Sequence, residues 1–426
     1  MTQRTIKTAI LGAGLAGLAA AHLLTQNQTA CTIFEAAEDA GGCMRSKDYG
    51  TYRLETLYHH CFSGDKTLFS LMESVHLKEE LLWLKGSTGY VSKGKLEPVT
   101  TPTEILRWSA LSITQKARLA FFVLSARKFD ADLLDTIPAE TYLKEKVGEK
   151  IYNAFFAPLL KSKFGDNAGN VSAAWLMSRI AIRSDRGAEG ERLGYLKGGW
   201  HRLTDALVET LRKNGCEIRL NTPVSSLRFA EEENKWYVNG EAFDCIISTL
   251  PLHILEKISE TALYLPRIPY QGAACLTAGI SRDKSKPLAD GIYWTNMGDS
   301  APYGAVVVHT NFAPYEWYKE QVVYLASYFT GNPADNLKGK MLADFCSRFG
   351  VDQKEITHAD MYIEPLAGPV FTTGYKAKIP QIKLQKGLYA AGMFSKENYP
   401  ERSMEGSVAA GFHAAELLLE DMKEKK

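Results

Sequence analysis

The stretch Gly12-Ala13-Gly14-Leu15-Ala16-Gly17 decides the fold. An apolar run, Thr8-Ala9-Ile10-Leu11, leads into it, and residues of helical character follow from Leu18 to Leu24. Cys31-Thr32-Ile33-Phe34 reads as a second strand and ends in an acid, Glu35. Strand, glycine turn, helix, strand and acid predict a dinucleotide-binding unit. Gly12 permits the tight turn, Gly14 lets backbone N–H groups approach a pyrophosphate, and Gly17 lets helix and strand pack closely. The helix start at Leu15, Ala16 and Gly17 adds partial positive charge facing the phosphates. Glu35 is placed to accept both hydroxyls of an adenosine ribose. An acid there disfavours a 2′-phosphate, and so disfavours NADP.

With 426 residues the chain has length for two or three domains and a large core. It is 45% hydrophobic and 23% charged, the composition of a soluble globular protein. A formal net charge of +1 offers no electrostatic footprint for nucleic acid or an acidic membrane. The seven cysteines are widely spaced without a C-x-x-C, so neither a disulfide framework nor a metal site follows. The first strand begins by about Ile6, which leaves no room for a signal peptide, and no apolar run approaches the ~18 residues that span a bilayer. The expected location is the reducing cytoplasm.

Three later segments extend the reading. Gly41-Gly42-Cys43-Met44-Arg45-Ser46 follows Glu35 closely. Gly198-Gly199-Trp200 opens an amphipathic helix, followed by a strand over 216–224 and another at Cys245-Ile246-Ile247-Ser248. Near the C-terminus a strand ends at Gly392-Met393, and Ser403-Met404-Glu405-Gly406-Ser407-Val408 opens the last helix. These segments, in this order, resemble the FAD-dependent amine oxidase superfamily, which includes protoporphyrinogen oxidases, carotenoid desaturases and UDP-galactopyranose mutases. Tyr58-His59-His60 and Pro158-Leu159-Leu160-Lys161-Ser162-Lys163-Phe164-Gly165 are similar to protoporphyrinogen-oxidase-like flavoproteins.

The resemblance implies an α/β fold: a Rossmann-like FAD domain (1–60, 190–255 and 362–426) with an inserted, mixed α+β substrate domain (61–189 and 256–361). Residues 61–190 are expected to be mainly helical. Strands are expected at 273–280, 305–310 and 321–328, and a helix near 335–349. FAD is the implied cofactor. Gly41 and Gly42 would bring a loop against pyrophosphate and flavin, with Arg45 and Ser46 in contact, since Cys43 stands where many relatives carry Arg or Lys. The backbone of Val224 would hold the adenine edge. The helix start at Ser403, Met404, Glu405, Gly406 and Val408 would face the N1–C2 edge of the flavin, where negative charge gathers on reduction. Gly392 precedes it, and Met393 replaces an acid that in relatives contacts the ribityl chain.

Tyr58, His59 and His60 fall beside the isoalloxazine in relatives, and histidine titrates near neutrality and can shuttle a proton. A hydrogen-bonded structural pair is the plainer account of the two histidines. Arg179, Arg183, Arg186 and Arg192, before Tyr195, could clamp a substrate carboxylate or phosphate or form a solvated helix face. His309 follows a strand and could face the same cavity. Residues 273–280 lack the lysine that amine oxidases place near flavin N5, which counts against a simple amine as substrate. Residues 104–129 mix apolar stripes with Arg and Lys, as in a buried helix pair or a peripheral bilayer contact. The expected function is an FAD oxidoreductase acting on a mostly apolar or amphipathic small molecule, with a separate electron acceptor. The alternatives are a mutase acting on a nucleotide sugar, or a non-catalytic escort protein of the same ancestry.

Overall fold

The computed structural model describes residues 6–184 and 191–424. Its first sheet has six strands in the order Lys383–Gln385, Leu388–Ala390, Cys245–Ser248, Lys7–Leu11, Ala30–Phe34 and Glu217–Arg219. All neighbours run parallel except the Lys383–Gln385 edge. Ile10 lies between Ile33 and Ile247. The central strands are apolar on both faces because both faces are covered. Ile10, Ile33 and Ile247 pack under the helices Leu15–Gln26, His201–Lys213 and Met404–Glu424. On the opposite face Ala9, Leu11, Phe34 and Ile246 meet Trp236, Val238 and Phe243 of a small antiparallel ribbon. The sheet thus draws its strands from three separated stretches of chain.

The second sheet has seven strands in the order Ile356–Pro369, Tyr270–Ile280, Gln321–Phe329, Ala305–Val308, Trp294–Met297, Thr88–Ser92 and Lys95–Pro98. One face is closed by the helix Leu337–Phe349, whose Met341 and Phe345 pack on Leu276, Val323 and Leu325. The other face looks toward the first sheet. Helices fill much of 102–184, including Ile113–Ser125, Ala157–Phe164 and Ala173–Ser184. Residues 81–98 correct the expectation of a mainly helical segment: they form the strands Leu81–Gly86, Thr88–Ser92 and Lys95–Pro98. Lys93 and Gly94, at φ of 52° and 74°, make the tight turn that joins the last two. The strand expected over 216–224 is also shorter and ends at Arg219.

A hairpin, Ser46–Asp48 with Arg53–Glu55, ties the two sheets together. Around it Arg45 pairs with Glu364 at 3.3 Å and Lys47 with Asp360 at 2.8 Å. The Tyr49 hydroxyl donates to Asp360 at 3.0 Å. The cradle between the sheets is set by these contacts.

Candidate active site

At the nucleotide end, Gly12 has φ of +101°, and a Cβ there would lie 2.5 Å from Thr249 Oγ1. A Cβ on Gly17 would fall 2.0 Å from the Gly12 carbonyl oxygen, so helix and turn touch backbone to backbone. Gly14 is different: a Cβ there meets nothing within 4 Å. That open side is the approach a pyrophosphate needs. The intrahelical ladder begins with Leu18 N–H donating to Gly14 O at 3.0 Å. The N–H groups of Leu15, Ala16 and Gly17 therefore precede it. Glu35 fixes the turn itself, accepting from Ala13 N–H at 2.7 Å and Ala37 N–H at 2.9 Å. Each carboxylate oxygen keeps a second lone pair for a ribose hydroxyl. Thr222 N–H donates to Glu35 O at 2.8 Å, which brings Val224 alongside.

The second glycine pair lies on the first turn. Gly41 N–H donates to Ala13 O at 2.8 Å, and Gly14 and Gly41 form a parallel bridge. Gly41 and Gly42 have φ of +119° and +56°. Arg45 Nε donates to Gly42 O at 3.1 Å while its terminal nitrogen reaches Glu364. Ser46 accepts from Arg53 at 2.9 Å, and both line a cleft with Thr204, Asp205 and Arg212. Cys43 is held between the charges of Glu364, Arg402 and Arg45, and burial pushes its thiol up to about 11.

The last helix, Met404–Glu424, starts against the end of a first-sheet strand. Ser403 Oγ caps it by accepting from Gly406 N–H at 2.9 Å. Asn398, fully buried, donates to Gly392 O at 3.0 Å and accepts from Ser403 N–H at 2.9 Å. A Cβ on Gly406 would lie 2.5 Å from Asn398 Oδ1. The Glu405 side chain is committed elsewhere: its carboxylate accepts from Thr67 N–H and Leu68 N–H at 3.0 and 2.7 Å, capping the helix Lys66–Ser74. Only the backbone of Glu405 is left for a cofactor. Val408 and Met404 put their side chains in the core, and Met393 is half-buried. With the open face at Gly14, the uncapped start of helix Leu15–Gln26 and the doubled glycine loop, the residues fit FAD.

Tyr58 and His59 sit on the second sheet's side. The Tyr58 ring stands edge-on to Trp294 at 4.9 Å, and its hydroxyl is 3.1 Å from that of Tyr328. Burial raises the Tyr58 phenol well above its ordinary value, Tyr328 adds to this, and the charge of Arg179 opposes it. His59 Nδ1 bonds the Leu57 carbonyl at 2.7 Å. Burial lowers its ring to about 4, against the Leu57 bond and with the charge of Arg402 adding. His60 turns toward a separate small cavity with Thr88, Leu193, Tyr293 and Trp294.

Tyr195 and His309 correct the sequence expectation of substrate contacts. Tyr195 is fully buried and donates to the buried carboxylate of Glu55 at 2.9 Å. His309, 3% exposed, bonds Tyr318 through Nε2 at 2.8 Å and meets Tyr195 ring to ring at 4.9 Å. Both belong to an aromatic core that includes Tyr324, a ring behind Tyr58. Arg186 and the side chain of Arg183 lie outside the described residues. Arg192 occupies an exposed strand position, while Arg179 bonds Glu401 at 3.3 Å.

A family model, flavin containing amine oxidoreductase, matches residues 15–419. The chain belongs to that family. It is an FAD-dependent oxidoreductase. Protoporphyrinogen oxidase 2 of Arabidopsis thaliana is 20% identical over 97% of this chain and 94% of its own length. A solved structure assigned to a protoporphyrinogen oxidase from Exiguobacterium sp. 255-15 has the same fold, with a TM-score of 0.77, 20% identity, and coverage of 98% of this chain and 100% of that one. Reduced UDP-galactopyranose mutase also shares the fold, with a TM-score of 0.76 and 18% identity, covering 98% and 94% of the two chains.

Sequence reasoning missed Asn398, Glu55, Arg402 and Tyr328. Asn398 and Arg402 lie within the segment between the two C-terminal motifs, where a buried polar residue leaves no periodic signal. Glu55 and Tyr328 acquire roles only from partners 140 and 270 residues away.

Proposed function

We propose that the protein takes a hydride from a mostly apolar or amphipathic small molecule, as a dehydrogenase, desaturase or oxidase. What supports this reading is Arg402, next to the Ser403 helix start, whose charge reaches both Cys43 of the glycine loop and the His59 ring. The chemistry that FAD would supply when bound is a hydride-accepting N5 and a route for the electrons to a separate acceptor. The remaining roles fall to the chain. The N–H groups of Met404 and Glu405 precede the last helix's ladder and favour negative charge at their end. Asn398 and Ser403 fix that helix start relative to Gly392. His59, neutral above about pH 4, can accept a proton. Tyr58 and its aromatic neighbours exclude water.

Peripheral contact with a bilayer belongs to the same reading. Ile113, Phe121 and Leu124 are 79%, 76% and 63% exposed on one stripe of the helix Ile113–Ser125, with Leu106 and Leu133 exposed nearby. Arg118 and Lys128 are exposed on the same stretch. Among the described residues no helix is long and apolar enough to cross a membrane.

Anaerobic visible spectra test the redox role. Flavin bands that bleach on adding an isoprenoid or a porphyrinogen support it. Bands that respond only to dithionite, with a UDP-sugar then trapped at N5, favour a mutase of the kind whose fold this chain shares.

A further inference from the structure

We propose that Cys31 and Cys216 form a dithiol that peroxide closes to a disulfide, stapling the edge of the first sheet and slowing the release of FAD. The two sulfurs are 3.2 Å apart, although the residues are 185 positions apart in the chain. Cys31 lies in the strand Ala30–Phe34, and Cys216 immediately precedes the strand Glu217–Arg219. These strands pair in parallel with Thr32 opposite Glu217. One step back, Cys31 stands opposite Cys216 with both side chains on one face. Neighbouring strands lie about 4.8 Å apart, inside the Cα spacing of about 4.4–6.8 Å that a disulfide spans. The same register excludes Cys245. It and Cys31 flank Thr8 on opposite strands, which separates them by two strand spacings, about 10 Å.

Both cysteines are 4% exposed and pack with Leu207 and Leu211 under the helix His201–Lys213. The contact with Cys216, and then burial, raises the Cys31 thiol well above its ordinary value. A protonated thiol reacts slowly, so the pair suits sustained exposure to a small peroxide rather than a brief pulse. One sulfur attacks the O–O bond of hydrogen peroxide, its thiol proton passes to the leaving oxygen as water, and a sulfenic acid remains. The second sulfur displaces hydroxide from that acid, and the hydroxide leaves with the second thiol proton as water. Two thiols and one peroxide thus yield one disulfide and two waters. Glu217–Arg219 is the outermost strand of its sheet, so the bond fastens an edge that is paired on one side only. Beyond the staple the same two segments run on together. Glu35 N–H donates to Arg219 O at 2.9 Å, and Asn221 N–H to Ala37 O at 2.9 Å. Fixing their register at one end limits local opening of the segment that carries Glu35 beside the nucleotide turn.

The test treats FAD-loaded protein with hydrogen peroxide and then with dithiothreitol. Free thiols, counted after denaturation, are expected to fall by two from seven and to return on reduction. Peptide mapping should find Cys31 joined to Cys216, and the thermal midpoint should rise by about 3–5 °C. Flavin release into mild urea, followed by its fluorescence, should slow severalfold. Cys31→Ala and Cys216→Ala should each lose the link and the slowing, whereas Cys245→Ala keeps both. Because a buried alanine leaves a small cavity, Cys31→Ser and Cys216→Ser are measured alongside with the same expectation. No link, a link between other cysteines, or a link that leaves flavin release unchanged overturns the proposal. None of these readouts uses a substrate, so they are separate from any failure of the redox reading.

Discussion

Gly42 rests on Gly14. A Cβ at Gly42 would come 3.2 Å from the Gly14 Cα, and the two segments are 28 positions apart in the chain. The doubled glycine loop and the nucleotide turn are one surface, and a ligand lying on the first touches the second.

Gly42→Ala is expected to fold and to lose most of its FAD. The added methyl crowds Gly14, and φ of +56° strains an L-residue by about 1 kcal/mol. The ratio of flavin to protein absorbance after purification checks this, with far-UV circular dichroism reporting the fold. A variant as yellow as the parent would separate the loop from the cofactor.

Asn398→Ala removes both bonds that hold the last helix's start. Leaving Ser403 N–H without its acceptor, and Gly392 O with Ser395 N–H alone, should destabilise the fold by about 1–3 kcal/mol, measured by urea unfolding. Flavin affinity should fall with it, because the Ser403 cap moves as a unit with that segment.

Glu405→Ala is expected to behave differently. Its carboxylate serves the helix Lys66–Ser74, so the loss should be about 1–2 kcal/mol of stability. The flavin spectrum should stay unchanged. A shifted spectrum would place the side chain at the cofactor after all.

His309 gives the fold a pH dependence on its acid side. Burial lowers its folded value to about 3, below the ordinary value of 6.5. The unfolded chain therefore binds the extra proton between these values, and stability falls as pH drops through that window. The contribution is fully present above about pH 6.5. His309→Gln should flatten the slope of stability against pH between 6.5 and 4 by nearly one proton. Matching slopes for parent and variant would exclude His309 as the source. Glu55, raised by burial, pulls in the opposite sense as pH increases, and it is common to both proteins.

The sequence by itself determined the glycine turn, the FAD cofactor and the family. Those features rest on local requirements: positive φ at Gly12, close approach at Gly17, and an acid one strand beyond the turn. The four expected elements of the substrate region also appear near their expected positions, at Tyr270–Ile280, Ala305–Val308, Gln321–Phe329 and Leu337–Phe349. Tertiary structure alone decided what the polar side chains do. Glu405 sits in a cofactor motif yet caps a helix more than 330 residues earlier, and Tyr195 and His309 disappear into an aromatic core. Arg179 is distinguished from neighbouring arginines only by what folds beside it. A backbone constraint is written into the residue that bears it, whereas a carboxylate, phenol or guanidinium acts through whichever distant partner the fold delivers.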